Sequence, residues 1–240
     1  MNKVIINADD FGLSPGVNQG ILYCFKHHLI SSTTIMCNME YFEDALEIYR
    51  HNSINVGVHL TLTAGKALLK HQYITDKQGY FIKQGQYKSL DMNQEVVEEI
   101  KAEWNAQIQK ALDAGIKVTH LDTHHHMYMA YPALHEVIYE LARKYHLPIR
   151  NDHVSLPDKP DDILDSDHFI RNFDAHAKDL IEGKDHIELE EGITEIMVHP
   201  AFVDYYLMTH SSMNIVRASS LEALKTIDQS QIELISYAQI

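Results

Sequence analysis

Short apolar runs that end in polar or charged residues alternate along this chain with longer stretches in which apolar positions recur at helical spacing. The first run, Lys3-Val4-Ile5-Ile6-Asn7-Ala8-Asp9-Asp10-Phe11-Gly12, reads as a buried strand that meets two adjacent carboxylates. Ser14-Pro15 then opens a helix, with serine at the cap and proline in the first turn, and Val17, Ile21, Leu22 and Phe25 form its buried stripe. Thr33 to Asn38 reads as the second strand and Tyr41 to Arg50 as the second helix. In Asn55 to Thr61 the parity is clear: Val56, Val58 and Leu60 point one way, and Asn55, Gly57 and His59 the other. Asn93 to Ala114 is a long helix stopped by Gly115, and Lys117 to Asp122 is a strand followed at once by Thr123-His124-His125-His126. Tyr131 to Tyr145 reads as a helix and Pro148 to Asn151 as a short fifth strand. Asp152 to Asp167 reads as loop, Ala175 to Glu182 as a helix with a short strand before it, Asp185 to Gly192 as helical, and Thr194 to Pro200 as a strand ended by proline. Asp204 to Arg217 reads as loop, Ser219 to Glu222 has capping-box spacing for a helix over Ser220 to Thr226, and Ile232 to Ser236 is the last strand.

Strand and helix thus alternate about seven times, which argues a parallel sheet with crossover helices. Asp9, Asp10, His59, His124, Arg150 and His199 all fall at or just after the C-terminal ends of different strands. In a closed parallel barrel those ends share one rim. An open doubly wound sheet would place them along one edge, but no Gly-x-Gly-x-x-Gly follows the first strand. The expected fold is therefore an α/β parallel barrel, irregular and seven-stranded, in one domain over residues 1–240. The regular pattern breaks only between Thr63 and Met92. A segment this long is usually functional or disordered, and Tyr73, Tyr80, Phe81 and Tyr87 favour an ordered lid or a substrate-facing insertion over 64–92.

Composition narrows the partners. The chain has 240 residues, 45% hydrophobic, with a formal net charge of −14, which argues against nucleic acid and anionic membranes as partners. No stretch approaches the length of a membrane span, and no charged-then-apolar leader precedes the first strand. Cys24 and Cys37 form neither a metal motif nor a disulfide framework, so a cytoplasmic setting is expected.

There are 17 histidines. Most sit among polar residues and read as solvated surface; those that end apolar runs carry the chemistry. One carboxylate with two imidazoles is a ligand set for zinc, cobalt, nickel or iron with positions left for water. The candidates are Asp10, His59 and one residue of the histidine triplet. Strand parity puts His120, Asp122 and His124 on one face, which selects His124. Asp9 is then a carboxylate close to the metal but free to act as a base. His199 is a candidate acid for a leaving amine, and Arg150 a candidate partner that keeps Asp9 ionised. Phe11, His125 and Tyr80 are the candidate substrate contacts. No Gly-x-Ser-x-Gly is present and neither cysteine stands at a strand end beside a base, so no covalent nucleophile is evident. These roles suit amide hydrolysis. A metal-assisted sugar isomerase or epimerase is the competing enzyme, although such sites carry two or more glutamates; a non-catalytic sugar- or metal-binding barrel is the competing non-enzyme.

Five motifs in order, Asn-Ala-Asp-Asp-Phe-Gly at 7–12, Ser-Thr-Thr at 32–34, Gly-Val-His-Leu-Thr-Leu-Thr at 57–63, Thr-His-Leu-Asp-Thr-His-His-His at 119–126 and Val-His-Pro-Ala-Phe at 198–202, resemble the YdjC-like carbohydrate deacetylases, which include chito-oligosaccharide deacetylase. The resemblance covers nearly the whole chain. It implies a seven-stranded β/α barrel of the glycoside hydrolase/deacetylase type. It also implies a metal at positions matching His59, His124 and Asp10, and a catalytic base at Asp9. The family is described with magnesium, whereas the ligand chemistry points to zinc or another transition metal. Its substrates are acetylated amino sugars such as chitobiose and its phosphorylated form, and its members often act as homodimers. The 64–92 segment departs most from the family pattern.

Overall fold

The computed structural model describes residues 2–151, 153–156 and 158–240. Among the described residues seven strands alternate with eight α-helices: β1 (Asn2–Phe11), α1 (Pro15–Lys26), β2 (Ser32–Ile35), α2 (Phe42–His51), β3 (Val56–Leu60), α3 (Gln94–Asp113), β4 (Val118–Thr123), α4 (Met127–Ala130), α5 (His135–Tyr145), β5 (His168–Ile170), α6 (Phe173–Ile181), β6 (Ile193–Val198), α7 (Tyr205–His210), α8 (Asn214–Leu224) and β7 (Ile232–Leu234). All ladders are parallel, in the order β4-β3-β2-β1-β6-β5, with β7 paired to the start of β1. Ser14 accepts from the Val17 amide to cap α1, and Asn93 accepts from Val96 to cap α3, as their side chains dictate. No described helix is long and apolar enough to cross a membrane.

Side-chain alternation gives the sheet two unlike faces. Val4, Ile6, Ala8, Val56, Val58, Leu60, Leu121, Ile196 and Val198 pack outward under the helices in the main core. Ile5, Asn7, Asp9, Gly57, His59, His120, Asp122 and Glu195 take the other face. That face is curled on itself: Arg150, beside β4 at one end of the strand order, reaches Asp9 on β1 and Glu195 on β6. The fold is thus an irregular parallel β/α barrel, a sheet curled into a half-barrel that stays open between β4 and β5, with a polar, charged interior. Tyr237 plugs the end opposite the strand C-termini, stacked on His120 with ring centroids 3.9 Å apart and donating to Glu195 at 2.5 Å. Gly57 is required opposite this plug, because a Cβ there would lie 2.4 Å from the His120 ring.

Several expected elements are corrected. Pro148 to Asn151 makes only an isolated bridge, Leu121 with Ile149, because the Ile149 amide donates to Leu164 in the following loop. The expected loop from Asp152 to Asp167 holds no helix or strand among its described residues; Asp152 and Pro157 lie outside them. Asp185 to Gly192 is extended, not helical: Ile187 and Leu189 are half-buried against the core while His186, Glu188 and Glu190 face solvent, a period of two rather than 3.6. Asp204 to Arg217 contains α7, capped by Asp204 accepting from Leu207, and the first turn of α8. Ser219 and Ser220 are consequently inside α8, and Ser220 accepts from the His199 amide instead of capping a helix start. The helix expected over Tyr131 to Tyr145 opens with a 3-10 turn at Pro132–Leu134 and becomes α-helical only from His135, in α5; the short α4 lies before it. The 64–92 segment is ordered. It carries antiparallel bridges between Lys66 and Tyr80 and between Thr75 and Phe81, a 3-10 turn at Gln84–Ser89, and buried Ile74, Phe81 and Tyr87.

Candidate active site

At the C-terminal ends of the strands, a backbone irregularity brings Asp9 and Asp10 together. Neighbouring residues of a strand point to opposite faces, so Asp10 should turn away from the interior. The β1–β2 register shifts between Ala8 and Phe11, and Asp10 adopts φ 72. This left-handed bulge swings its carboxylate back into the pocket beside Asp9. Asparagine and aspartate tolerate that conformation better than other non-glycine residues. Beyond β4, His125 and His126 also have left-handed φ values of 58 and 53, so the chain turns sharply just after His124.

Asp10 Oδ1 lies 3.2 Å from His59 Nε2 and 3.1 Å from His124 Nδ1, and the two nitrogens are 3.3 Å apart. Oδ1 is buried and, among the described residues, has no hydrogen-bond partner. Three donor atoms each bound at about 2.1 Å to one ion, at angles between square and tetrahedral, lie about 3.0–3.4 Å apart. These three residues can therefore hold a metal ion, and the orphaned carboxylate oxygen is what such an ion would satisfy. The surroundings prepare the ligands. His59 Nδ1 faces Asp122 Oδ1 at 2.7 Å and Thr34 Oγ1 at 3.3 Å, which directs its Nε2 lone pair into the site. Burial opposes charge on His59, but Asp122, Asp10 and Asp9 outweigh it and push its pKa up to about 10, so the spot strongly favours positive charge. The second oxygen of Asp10 accepts from Arg217 Nη2 at 2.5 Å. Burial alone would raise the Asp10 pKa; Arg217 and His124 instead hold it well below the usual carboxylate range.

Asp9 is bound differently. Both its oxygens accept from Arg150, at 2.7 and 2.8 Å, and Oδ1 also accepts from Asn7 at 2.9 Å. Burial works against its charge, but the Arg150 guanidinium prevails and keeps Asp9 ionised far below neutral pH. Arg150 is fully buried and also pairs with Asp122 at 2.9 Å and Glu195 at 2.8 Å. A second carboxylate–imidazole group, Asp9, His59 and Asp122, lies close enough to ligate a cation, but the guanidinium already supplies positive charge there. His199 Nε2 is 3.9 Å from Asp9 Oδ2, and its Nδ1 is 2.6 Å from Asp174 Oδ2. Burial disfavours charge on His199, yet the hydrogen bond and charge of Asp174, with Asp9 and Asp10 behind, raise its pKa above the ordinary histidine value.

Six of the residues singled out from the sequence thus meet: Asp9, Asp10, His59, His124, Arg150 and His199. The expected substrate contacts are less uniform. Phe11 is fully buried in the hydrophobic core, because the bulge at Asp10 inverts the strand parity and turns it outward, so it cannot meet a ligand. His125 is exposed at the rim, its Nδ1 2.9 Å from Thr63 Oγ1. Tyr80 is 48% exposed under the Lys66 ammonium. Sequence reasoning missed Asn7, Thr34, Asp174, Glu195 and Arg217 and did not give Asp122 its partner role. Asn7, Asp122 and Glu195 carried a usable signal, a polar residue at an inward position of an apolar strand. Asp174 and Arg217 carried none.

Residues 3–232 match the model of the YdjC-like protein family. The chain belongs to the YdjC-like family. A relative from Clostridium beijerinckii named carbohydrate deacetylase is 36% identical, with 99% of this chain and 100% of the relative aligned. One of the same name from Thermoanaerobacter pseudethanolicus is 40% identical over 90% of this chain and 88% of its own length. Among solved structures, an Enterococcus faecalis protein provisionally described as a cellobiose-phosphate cleavage protein superposes with a TM-score of 0.87 at 32% identity, covering 100% of this chain and 99% of that one. A lactam utilization protein from Thermus thermophilus, at 14% identity and a TM-score of 0.57 over 98% of this chain and 99% of its own, shares the fold.

Proposed function

We propose that this YdjC-like protein removes acetyl groups from N-acetylated sugars of the chito-oligosaccharide type, releasing acetate, with one divalent metal ion held by Asp10, His59 and His124. At the level of enzyme class it is a carbohydrate deacetylase, as its curated relatives are named. The observation that carries the metal reading is the triangle of donor atoms 3.1–3.3 Å apart with an orphaned buried oxygen at one corner. Two imidazoles with one carboxylate suit zinc, cobalt or nickel better than magnesium, which prefers oxygen ligands. When bound, such an ion supplies Lewis-acid chemistry, polarising the acetyl carbonyl and lowering the pKa of water.

The chain's own groups supply the proton transfers. Asp9 accepts a proton from the attacking water. Arg150 keeps Asp9 ionised at every working pH, which makes it always available but weakly basic, so it depends on a water already made acidic. His199 lies within reach of the same carboxylate, and its raised pKa favours the protonated ring that a general acid needs. It donates that proton to the leaving amine nitrogen, and Asp174 fixes its ring and stabilises its charge. The group Asp10, His59 and His124, flanked by a separate base and acid, favours hydrolysis over sugar isomerisation.

The test is acetate release from N,N′-diacetylchitobiose, with and without a 6-phosphate. Chelation should abolish it, and zinc, cobalt, nickel and magnesium should be compared in add-back. Asp9→Asn should retain metal and lose about 10²–10⁴-fold in kcat. Turnover that survives chelation would end the metal reading; metal lost from Asp9→Asn would end the division of labour between the two aspartates.

A further inference from the structure

We infer that Arg217 is a positioning residue for Asp10: it occupies one carboxylate oxygen so that only the other can coordinate, and so keeps metal positions open for water and substrate. This rests on the metal reading above. The two oxygens of Asp10 have separate surroundings. Oδ2 accepts from Arg217 Nη2 at 2.5 Å, while Oδ1 faces His59 and His124 and, among the described residues, has no hydrogen-bond partner. A carboxylate with both oxygens free can bind a divalent ion through one or both. Binding through both would raise this group from three donor atoms to four, and for an ion that prefers four ligands no position would remain. A guanidinium on Oδ2 prevents this, because a charge-assisted hydrogen bond occupies the lone pairs the second bond would need.

Two features indicate that this contact governs the conformation of Arg217. It is only 3% exposed, and its Nε and Nη1 have no hydrogen-bond partner among the described residues. A guanidinium is costly to bury with donors unsatisfied, so its attraction to Asp10 must hold it in place. Its backbone is also tied to the segment that carries His199: the Arg217 carbonyl accepts from the Ala201 amide at 3.4 Å, and Ser220, one turn on, accepts from the His199 amide at 3.2 Å. α8 therefore aims the ligand Asp10 and anchors the proposed acid through one rigid element. The arrangement has an electrostatic consequence. A positive charge this near opposes a bound cation, so Arg217 favours open coordination at the expense of affinity.

Cobalt substitution tests this directly, since the visible absorption of Co²⁺ reports coordination number. Arg217→Met removes the guanidinium while retaining much of its length; Arg217→Gln is the second variant should the first not fold. In either, the Co²⁺ bands should weaken relative to wild type, as expected for an added ligand. Cobalt affinity should be unchanged or tighter, and kcat should fall about 10–100-fold, the range typical for groups that orient metal ligands. A wild-type-like cobalt spectrum in the folded variants, or a tenfold loss of cobalt affinity, would overturn the role given to Arg217 while leaving the metal site intact. Failure of the wild type to bind cobalt stoichiometrically would remove the metal reading and this inference together.

Discussion

Asp174 shows how a single side chain sets the chemistry of another. It accepts from His199 at 2.6 Å, so the His199 proton that matters, on Nε2, faces Asp9. The raised pKa fixes the sign of the pH dependence. An acid works only while it holds its proton, so with His199 as the proposed acid activity should be present below its raised pKa and be lost as pH rises through it. Asp174→Asn removes the charge that supports the imidazolium. The alkaline limb of the kcat/KM profile should therefore move to lower pH, and kcat should fall about 10–100-fold. An alkaline limb that stays in place in this variant would assign the proton donor elsewhere. Asp10 makes the complementary point about the backbone. Its left-handed φ of 72 is what allows two consecutive residues of one strand to serve one pocket.

At the scale of elements, the 64–92 insertion is fastened by one face of α3. Glu95, Glu99 and Glu103 stand one turn apart. Glu103 is wholly buried and accepts from the amides of Leu68 and Leu69, from Gln107, and at 2.9 Å from the His71 ring. Glu99 accepts from the amides of Gln72 and Tyr73, and Glu95 from the Tyr73 hydroxyl. A surface loop normally leaves its amides to water; here carboxylates receive them in pairs, which holds the insertion to the scaffold without a strand. Glu103→Ala leaves those donors unsatisfied and should cost on the order of 2 kcal/mol. Thermal unfolding should shift down by several degrees, and limited proteolysis should begin within 64–83. An unchanged melting temperature would show that the apolar contacts of Ile74, Phe81 and Tyr87 suffice to hold the insertion.

At the scale of the molecule, the barrel interior is a stack of charges rather than an oily core. From the closed end upward run Tyr237 and His120, then Glu195 and Arg150, then Asp9, joined by hydrogen bonds, ion pairs and ring stacking. Burial lowers the His120 pKa to about 3, so it stacks as a neutral ring. The plug residue thereby supports the groups that hold the proposed base, through two intermediates. Tyr237→Ala opens a cavity beneath Glu195 and should cost about 3–5 kcal/mol. Tyr237→Phe keeps the ring and removes only the donor to Glu195, so it should retain most of the stability and of the activity. Chemical denaturation of both variants checks this, and equal losses in the two would place the weight on the hydroxyl instead of the ring.

The alternation of strand and helix, the outward set Val56, Val58 and Leu60, and the polar residues waiting at strand ends were all legible from the amino-acid order. They arise from local periodicity, which the backbone enforces over a few residues whatever the rest of the chain does. The same locality explains the failures: Asp185 to Gly192 was misread because a charged segment with two apolar residues has no strong period of its own, and Phe11 because a bulge inverted the parity after Asp10. Tertiary structure alone decided which distant groups meet. Arg217 is separated from Asp10 by 207 positions and Arg150 from Asp9 by 141. Such pairings depend on how the sheet curls and where α8 docks, which is set by packing of the whole core and leaves no repeat in the neighbouring sequence to read.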